Sequence, residues 1–375
     1  MDVLEVSVDA KALESYIAAL LGTAGLRDDD ALFFARSLVQ TNLWGKDSHG
    51  VMRVPHYLQR LMSRAVNPRP TTQIVRGGGA FEVMDGDNGP GYIVGRDAML
   101  RAVTLAETHG IGAVGVIESN HFGAAAIYAR LAAERGMVGV AMTNSVPKMI
   151  APGGTKPIVG SNPIAIAVPT YGEYPFVLDM SLSAVAGGRL LLAAGKGEKI
   201  PSDWATDKQG RPTDDPAEAF AGCWLPAGGV KGLGLSYAVD ILCGLITGGA
   251  FGPGVKSQYS DPSSRSETAH MMIAINVDSV MDRGEMRERM AEYCATIKSS
   301  PLAGSSQEML VPGERAHRNA EAAESSGIRL HASLYDELVA LGEQYELVEE
   351  LPPLPRDLDG DRSTGTTDGP NGCES

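Results

Sequence analysis

The stretch Gly45–Leu61, GKDSHGVMRVPHYLQRL, places an acid, two hydroxyls, two imidazoles and two guanidiniums in one short run. Arg53 follows His49 by four residues, one helical turn, so the two side chains share a face. A neutral imidazole can accept a proton, as a general base must. A planar guanidinium can hold a carboxylate by two hydrogen bonds. Together they suit proton transfer at the carbon next to a carboxylate, as in a 2-hydroxy or 2-oxo acid. The plain alternatives are a surface histidine and a solvated Arg53 paired with Asp47.

His121 repeats the setting of His49. Ser48 precedes one and Asn120 the other, and both are good helix N-caps. The spacing predicts each imidazole in the first turn of a helix, whose positive end would lower its pKa. His49 has Arg53 one turn away, which favours it as proton carrier and leaves His121 to position the reacting groups. Lys231, in PAGGVKGLG, follows two glycines at the start of an apolar helix, where a loop can approach a phosphate.

Three further patterns carry less. NGPGYIVG approaches a dinucleotide fingerprint, with Glu118 at the end of the next strand, but its spacing is GxGxxxG. GLSYA around Ser236 approaches a nucleophile elbow, yet it falls inside a helical pattern. Asp47, His49 and His56 raise a metal-dependent hydrolase as a reading from another class, without HxxxH or HxxE spacing to support it. The expectation is that no metal is bound. A non-catalytic nucleotide-binding module is a third class.

The elements around these residues follow from period. Residues 1–65 read as helical, with a third helix starting at Ser48 and shortened or kinked by Pro55. From about residue 70, AFEVMDGD, IGAVGVIES and MVGVAMTN alternate with helical patterns, as in an α/β layer. IAIAVPT, YPFVLDMS and AHMMIAINVDSV read as later strands, and LGLSYAVDILCGLITGG as a buried apolar helix. The expected organisation is a helical region over 1–70, a cofactor- and substrate-binding α/β domain over 71–280, a helical region over 281–351 packed on the first, and a disordered tail over 352–375.

The formal charge of −14 disfavours nucleic acid and anionic membranes as partners and requires local cations for an anionic substrate. No apolar run is long enough to span a membrane. Four dispersed cysteines read as reduced thiols of a cytoplasmic protein.

DSHGVMR, NHFGAAAIYA, GSNPIAIAVP, LDMSLSAVAGG, IPSDWATDKQGRPTDDP, LPAGGVKGLGL and VPGER occur in an order that resembles the malate/L-lactate dehydrogenase family. That family is distinct from the Rossmann-fold lactate and malate dehydrogenases. Its relatives include L-sulfolactate dehydrogenase, ureidoglycolate dehydrogenase and 2,3-diketo-L-gulonate reductase. The resemblance covers about residues 10–345. It implies a non-Rossmann, L-sulfolactate dehydrogenase-like α/β fold, with a central mixed sheet and a helical domain formed from both chain ends. It also implies a homodimer that uses NAD or NADP on a small carboxylic acid, with a cyclic imine acid of the Δ1-piperideine-2-carboxylate type as the alternative substrate. By position it makes His49 and His121 the proton-transfer candidates and places Ser48 and Arg53 at the substrate. Ser145, Asp179, Met180, Ser181, Lys231, Gly232, Gly313, Glu314 and Arg315 would bind the cofactor. Gly188-Arg189 departs from the family's frequent Gly-Lys.

Overall fold

β1 (Glu5–Val8) ends at Asp9, whose carboxylate accepts the Ala12 amide at 2.8 Å and so opens α1 (Ala10–Thr23). This short strand was not anticipated in the region read as helical. The computed structural model describes residues 5–151, 153–259, 261–304 and 307–354. α2 (Asp28–Leu43) carries three acids in its first turn, where the helix dipole favours them.

The helix expected from Ser48 forms differently. Two 3-10 turns, Asp47–His49 and Val51–Arg53, precede α3 (Val54–Met62). Pro55 lies in the first turn of α3, where its missing N–H costs nothing, so it starts this helix rather than kinking it.

β2 (Gln73–Gly78), β3 (Phe81–Gly89), α4 (Gly91–His109), β4 (Ile111–Ser119), α5 (Ala126–Ala133) and β5 (Met137–Thr143) form the first α/β run. β6 (Ile164–Val168), β7 (Phe176–Met180), α6 (Gly187–Lys196), β8 (Ala205–Thr206), α7 (Pro216–Ala221), β9 (Cys223–Trp224), α8 (Val230–Asp240) and β10 (Thr268–Asn276) follow. α9 (Arg283–Lys298), α10 (Glu314–Ser326), β11 (Ile328–His331) and α11 (Ala332–Gln344) complete the order.

The seven-stranded sheet runs β2-β3-β4-β10-β5-β6-β7. Among the described strands of this sheet only β3 and β4 pair in parallel; β10 lies antiparallel to both β4 and β5 and separates them. The sheet is therefore mixed. Side chains of β10 alternate as period 2 requires. Met272 and Ala274 join the core under α4 and α5, while Ala269 and Met271 join a second core with Leu233 and Val239 of α8. Burial on both faces explains why β10 reads as an almost continuous apolar run.

Both chain ends meet. β1 pairs antiparallel with β11, and Ala316, Ala320 and Ala323 of α10 pack on the core that α1 and α2 supply. Pro353 bridges to Val8 and the Leu354 amide donates to Ser7 O at 2.8 Å, so the first residues of the expected tail are ordered against β1. The tail from residue 355 lies outside the described residues.

The apolar helix is less buried than expected. Leu235 and Ile246 are 55% and 53% exposed, and Val230, Ile241, Leu245 and Phe251 are also exposed on α8 and the turns after it. No helix among the described residues is long and apolar enough to cross a membrane.

Candidate active site

Asn42, near the end of α2, sets the geometry of the Asp47–Arg53 turns. Its Oδ1 accepts the Val51 amide at 2.8 Å and its Nδ2 donates to Asp47 Oδ1 at 2.7 Å. Asp47 is thus engaged by Asn42 and is not the partner of Arg53. The Arg53 Nε donates to Ser48 O at 2.8 Å, and Nη1 donates to Tyr259 Oη at 2.9 Å. Among the described residues Arg53 has no carboxylate partner, so most of its fork is available to an incoming acid. The start of α6 closes over Ser48. A Cβ on Gly188 would lie 2.3 Å from Ser48 Cβ, so only glycine fits there.

His49 and His121 come together: their rings stack with centroids 5.9 Å apart and planes 22° apart. His49 Nδ1 lies 3.0 Å from Ser48 Oγ, and His121 Nδ1 lies 2.6 Å from Tyr57 Oη. Each ring keeps Nε2 for other work. Neither imidazole starts an α-helix. His49 sits in a 3-10 turn, and His121 precedes α5 by an extended stretch in which Asn120 caps nothing. Asn120 instead donates to Asn88 and Gly89 carbonyls. The expected fall in pKa is present, but burial causes it. Burial first, then the Arg53 charge, lowers His49 to about 4, while Asp179 pulls the other way. Burial also holds His121 well below the ordinary value, assisted by His49 and Arg53.

His270, whose sequence neighbours offer no comparable signal, is fully buried on β10. Its Nδ1 lies 2.7 Å from Thr143 Oγ1, its Nε2 lies 2.8 Å from Ser119 Oγ, and its ring stacks on Phe122 next to His121. Burial lowers its pKa to about 3. The unfolded chain therefore binds a proton below about pH 6.5 that the folded chain rejects. Stability is full above that value and falls as pH drops toward the folded pKa, by up to about 1.4 kcal/mol per pH unit from this group. Thermal melts between pH ~7 and ~5 should show the decline, to which His49 and His121 add in the same direction, and His270→Gln should make it shallower; an unchanged slope would remove His270 as a source.

Other residues join the site without a prior motif. Lys46 Nζ lies 2.5 Å from Asp179 Oδ2, which ties the first turn to the end of β7. Tyr57 from α3 backs His121. Tyr259 covers Arg53 and stacks on His56, with ring centroids 4.8 Å apart. The loop that carries Tyr259 is held by the buried guanidinium of Arg60, which donates to Gln258, Ser266 and the Ser264 carbonyl. Lysine and tyrosine are common on surfaces, and only the fold reveals that these three gather around Asp179, His121 and Arg53.

The expected cofactor residues fall into two groups. The Ser145 amide donates to Asn162 Oδ1 at 2.9 Å, and Ser145 Oγ lies 3.4 Å from Ser161 Oγ. The Leu182 amide donates to Ser161 O and the Ala227 amide donates to Leu182 O. These bonds draw Ser145, Met180, Ser181 and the loop before Lys231 and Gly232 into one region, joined through Asp179 to Lys46. Gly228 and Gly229 have φ of +63° and +66°, and the exposed Lys231 follows in the first turn of α8. The second group lies along β7, where the Val177 amide donates to Pro312 O. There Gly313 starts α10, Arg315 is exposed, and Glu314 is buried and bound by Lys298 at 2.6 Å and Arg318 at 2.5 Å. Burial alone would raise the Glu314 carboxyl, but hydrogen bonds led by that from Lys298 bring it down to about 2. Arg189 keeps the cation of the Gly188-Arg189 pair but stacks over Trp204 at 4.7 Å.

The weaker patterns resolve on geometry. NGPGYIVG does join two parallel strands through α4, but a Cβ on Gly91 would lie 2.2 Å from Asn120 O and 2.6 Å from His121 O. Those carbonyls occupy the helix end that a pyrophosphate would need. Ser236 is fully buried and donates to Gly160 O at 2.9 Å, which makes it a clamp between α8 and the loop before β6. Among the described residues no three His, Cys, Asp or Glu side chains are arranged to hold a metal ion.

Residues 8–339 match the family described as malate/L-lactate dehydrogenase. The chain belongs to the malate/L-lactate dehydrogenase family. Malate dehydrogenase of Pyrococcus abyssi is 38% identical over 89% of this chain and 93% of its own length. The solved structure of sulfolactate dehydrogenase from Methanocaldococcus jannaschii superimposes with a TM-score of 0.84 at 37% identity, covering 91% of this chain and 98% of that one. Delta1-piperideine-2-carboxylate reductase of Pseudomonas syringae pvar. tomato gives a TM-score of 0.79 at 26% identity over 89% and 99%. Further family relatives are named for NAD(+) or for NADP(+).

Proposed function

We propose that this family member moves hydride between NAD or NADP and the α-carbon of a small 2-hydroxy or 2-oxo carboxylic acid. One observation carries the reading: an Arg53 guanidinium with no carboxylate partner among the described residues stands beside two stacked, uncharged imidazoles. Arg53 holds the substrate carboxylate. His49 Nε2 takes the hydroxyl proton during oxidation and returns it during reduction, and the Asp179 carboxylate favours the imidazolium that forms. His121 Nε2 directs the substrate oxygen, with Tyr57 fixing its ring. Lys46 holds Asp179 in place. The nicotinamide, when bound, supplies or accepts the hydride.

The donor set fits such a cofactor. Lys231 and the first amides of α8 offer positive charge after a flexible Gly-Gly turn, and Ser145 and Ser181 offer hydroxyls. Lys231→Ala should weaken dinucleotide binding by roughly 10- to 150-fold, the loss of one charge-assisted hydrogen bond. Titration of nicotinamide fluorescence reads this directly, and an unchanged constant removes Lys231 from the site.

The reaction is tested by the absorbance of reduced nicotinamide with both cofactors against a panel of 2-oxo acids and cyclic imine acids. Turnover of none of the acids would overturn the reading. Reduction of the cyclic imine alone would favour the second reading, which the likeness to the Pseudomonas reductase supports and in which Arg53 holds the same carboxylate.

The chain forms a homodimer through the exposed apolar face of α8 and the turn after it, a face that a second copy would cover. Leu235→Asp with Ile246→Asp should shift light-scattering mass to the monomer; a wild-type monomer would refute this. The regions 1–70 and 281–351 act as one helical unit beside the central 71–280, in keeping with the β1–β11 pairing. Cytoplasmic residence accords with free Cys223, Cys243 and Cys294.

A further inference from the structure

A cleft of about 600 Å³ shares Val66 in its lining with the small pocket at His121. Its lining includes three guanidiniums, Arg64, Arg69 and Arg265, in a chain with a formal charge of −14. The one carboxylate in the lining, Asp87, is occupied: Oδ2 accepts Asn67 Nδ2 at 2.8 Å and the Thr71 amide at 3.0 Å. Arg69 uses its Nε on Gly25 O and keeps its terminal nitrogens. Arg265 reaches Glu118 only at 3.6 Å, and both side chains are largely exposed, so water screens that pair. Arg64 has no ion pair among the described residues. Arg64, Asp87 and Asn88 all hold left-handed backbone, with φ of 60°, 50° and 52°. Such conformations cost energy for non-glycine residues and gather where a site is shaped.

The floor of this cleft leads to the catalytic pair. Asn88 is buried, and its Nδ2 donates to Ala65 O at 3.0 Å. Its carbonyl and side-chain oxygens accept from Asn120 Nδ2 at 3.0 and 3.1 Å. Asn120 immediately precedes His121, so Asn88 is hydrogen-bonded to the residue next to that imidazole.

We propose that this cleft is a second anion site, which takes a compact anion of two or more charges and adjusts His121 through Asn88 and Asn120. Three guanidinium forks suit polycarboxylate or phosphate oxygens, which they bind bidentately. The binding half stands apart from the reaction proposed above, whereas the coupling half rests on His121 taking part in it.

Isothermal titration of the full chain with citrate, and separately with inorganic phosphate, in chloride buffer tests the site. Wild type and Arg53→Gln should bind one of the two equally well, because the substrate clamp is not involved. Arg64→Gln with Arg265→Gln should weaken that binding by 10-fold or more, since each lost charge-assisted contact accounts for roughly 10- to 150-fold. Both arginines are exposed, and circular dichroism verifies that the double variant folds. The stronger of the two probes identifies the ligand as polycarboxylate or phosphate. Without added anion the double variant should turn over like wild type. With anion, only wild type should change kcat/KM. Binding lost in Arg53→Gln but kept in the double variant would place the anion in the substrate site and overturn the proposal. No binding of either probe would also overturn it, and binding without any change in kcat/KM would overturn the coupling.

Discussion

Replacing His49 by Ala is expected to slow the chemical step by about 10²–10⁴-fold, the usual contribution of a positioned acid or base. The pH profile is the more telling readout. His49 must be neutral to accept the hydroxyl proton, so oxidation should rise as pH climbs through its pKa of about 4 in the free enzyme and level off above it. His49→Ala should lose that limb. His121→Ala should lower the rate and keep it. Both rings lie in one stack, so position alone does not rank them; Arg53 opposes a proton on either ring, but Asp179 partly offsets it at His49, whereas no neighbour does so at His121 among the described residues. Measurement of kcat/KM against pH, where chemistry limits the rate, separates the roles. A limb that survives in His49→Ala and vanishes in His121→Ala would exchange them.

Arg53→Lys should lower kcat/KM for acids steeply although the charge is retained. Two of the guanidinium's donors are already committed, to Ser48 O and Tyr259 Oη, and these aim the remaining fork. A lysine ammonium cannot keep both anchors and still present two parallel donors to a carboxylate. Loss of one charged hydrogen bond alone accounts for about 1.5–3 kcal/mol, or roughly 10- to 150-fold. The amide of the same substrate lacks the charge and should turn over slowly in wild type, with a much smaller further loss in the variant. Equal losses for acid and amide would assign Arg53 a structural role.

The sequence marks His49, His121 and Arg53 as candidates because His, Arg and their spacing are chemically distinctive, and the fold brings the two imidazoles together. Period reveals the α/β run and the closing helices for the same local reasons. What period cannot carry is strand order. β10 reads like any buried strand, and nothing local to it says that it lies between β4 and β5. The DSHGVMR segment resembles one helix because Ser, His and Arg tolerate a helical pattern, yet Asn42 captures the Val51 amide and breaks it into two turns. Lys46, Tyr57 and Tyr259 gain their places from partners 133, 64 and 206 residues away. The exposed face of α8 has a similar cause. Leucine and isoleucine report a wish to leave water, but not whether the shelter lies within this chain.

The position of β10 also governs how the chain is made. β4 ends at Ser119 and β5 at Thr143, yet the strand that joins them begins only at Thr268. While the intervening segment leaves the ribosome, each of the two strands carries a bare inner edge, with valines in both and methionines in β5. Such edges recruit other strands, and pairings that close over so many residues form slowly. The nascent chain is thus most vulnerable to aggregation in the interval before β10 emerges. Helices α4 and α5, already folded onto one face, shield side chains but leave those edge amides uncovered, so this interval is where a chaperone would have most to do.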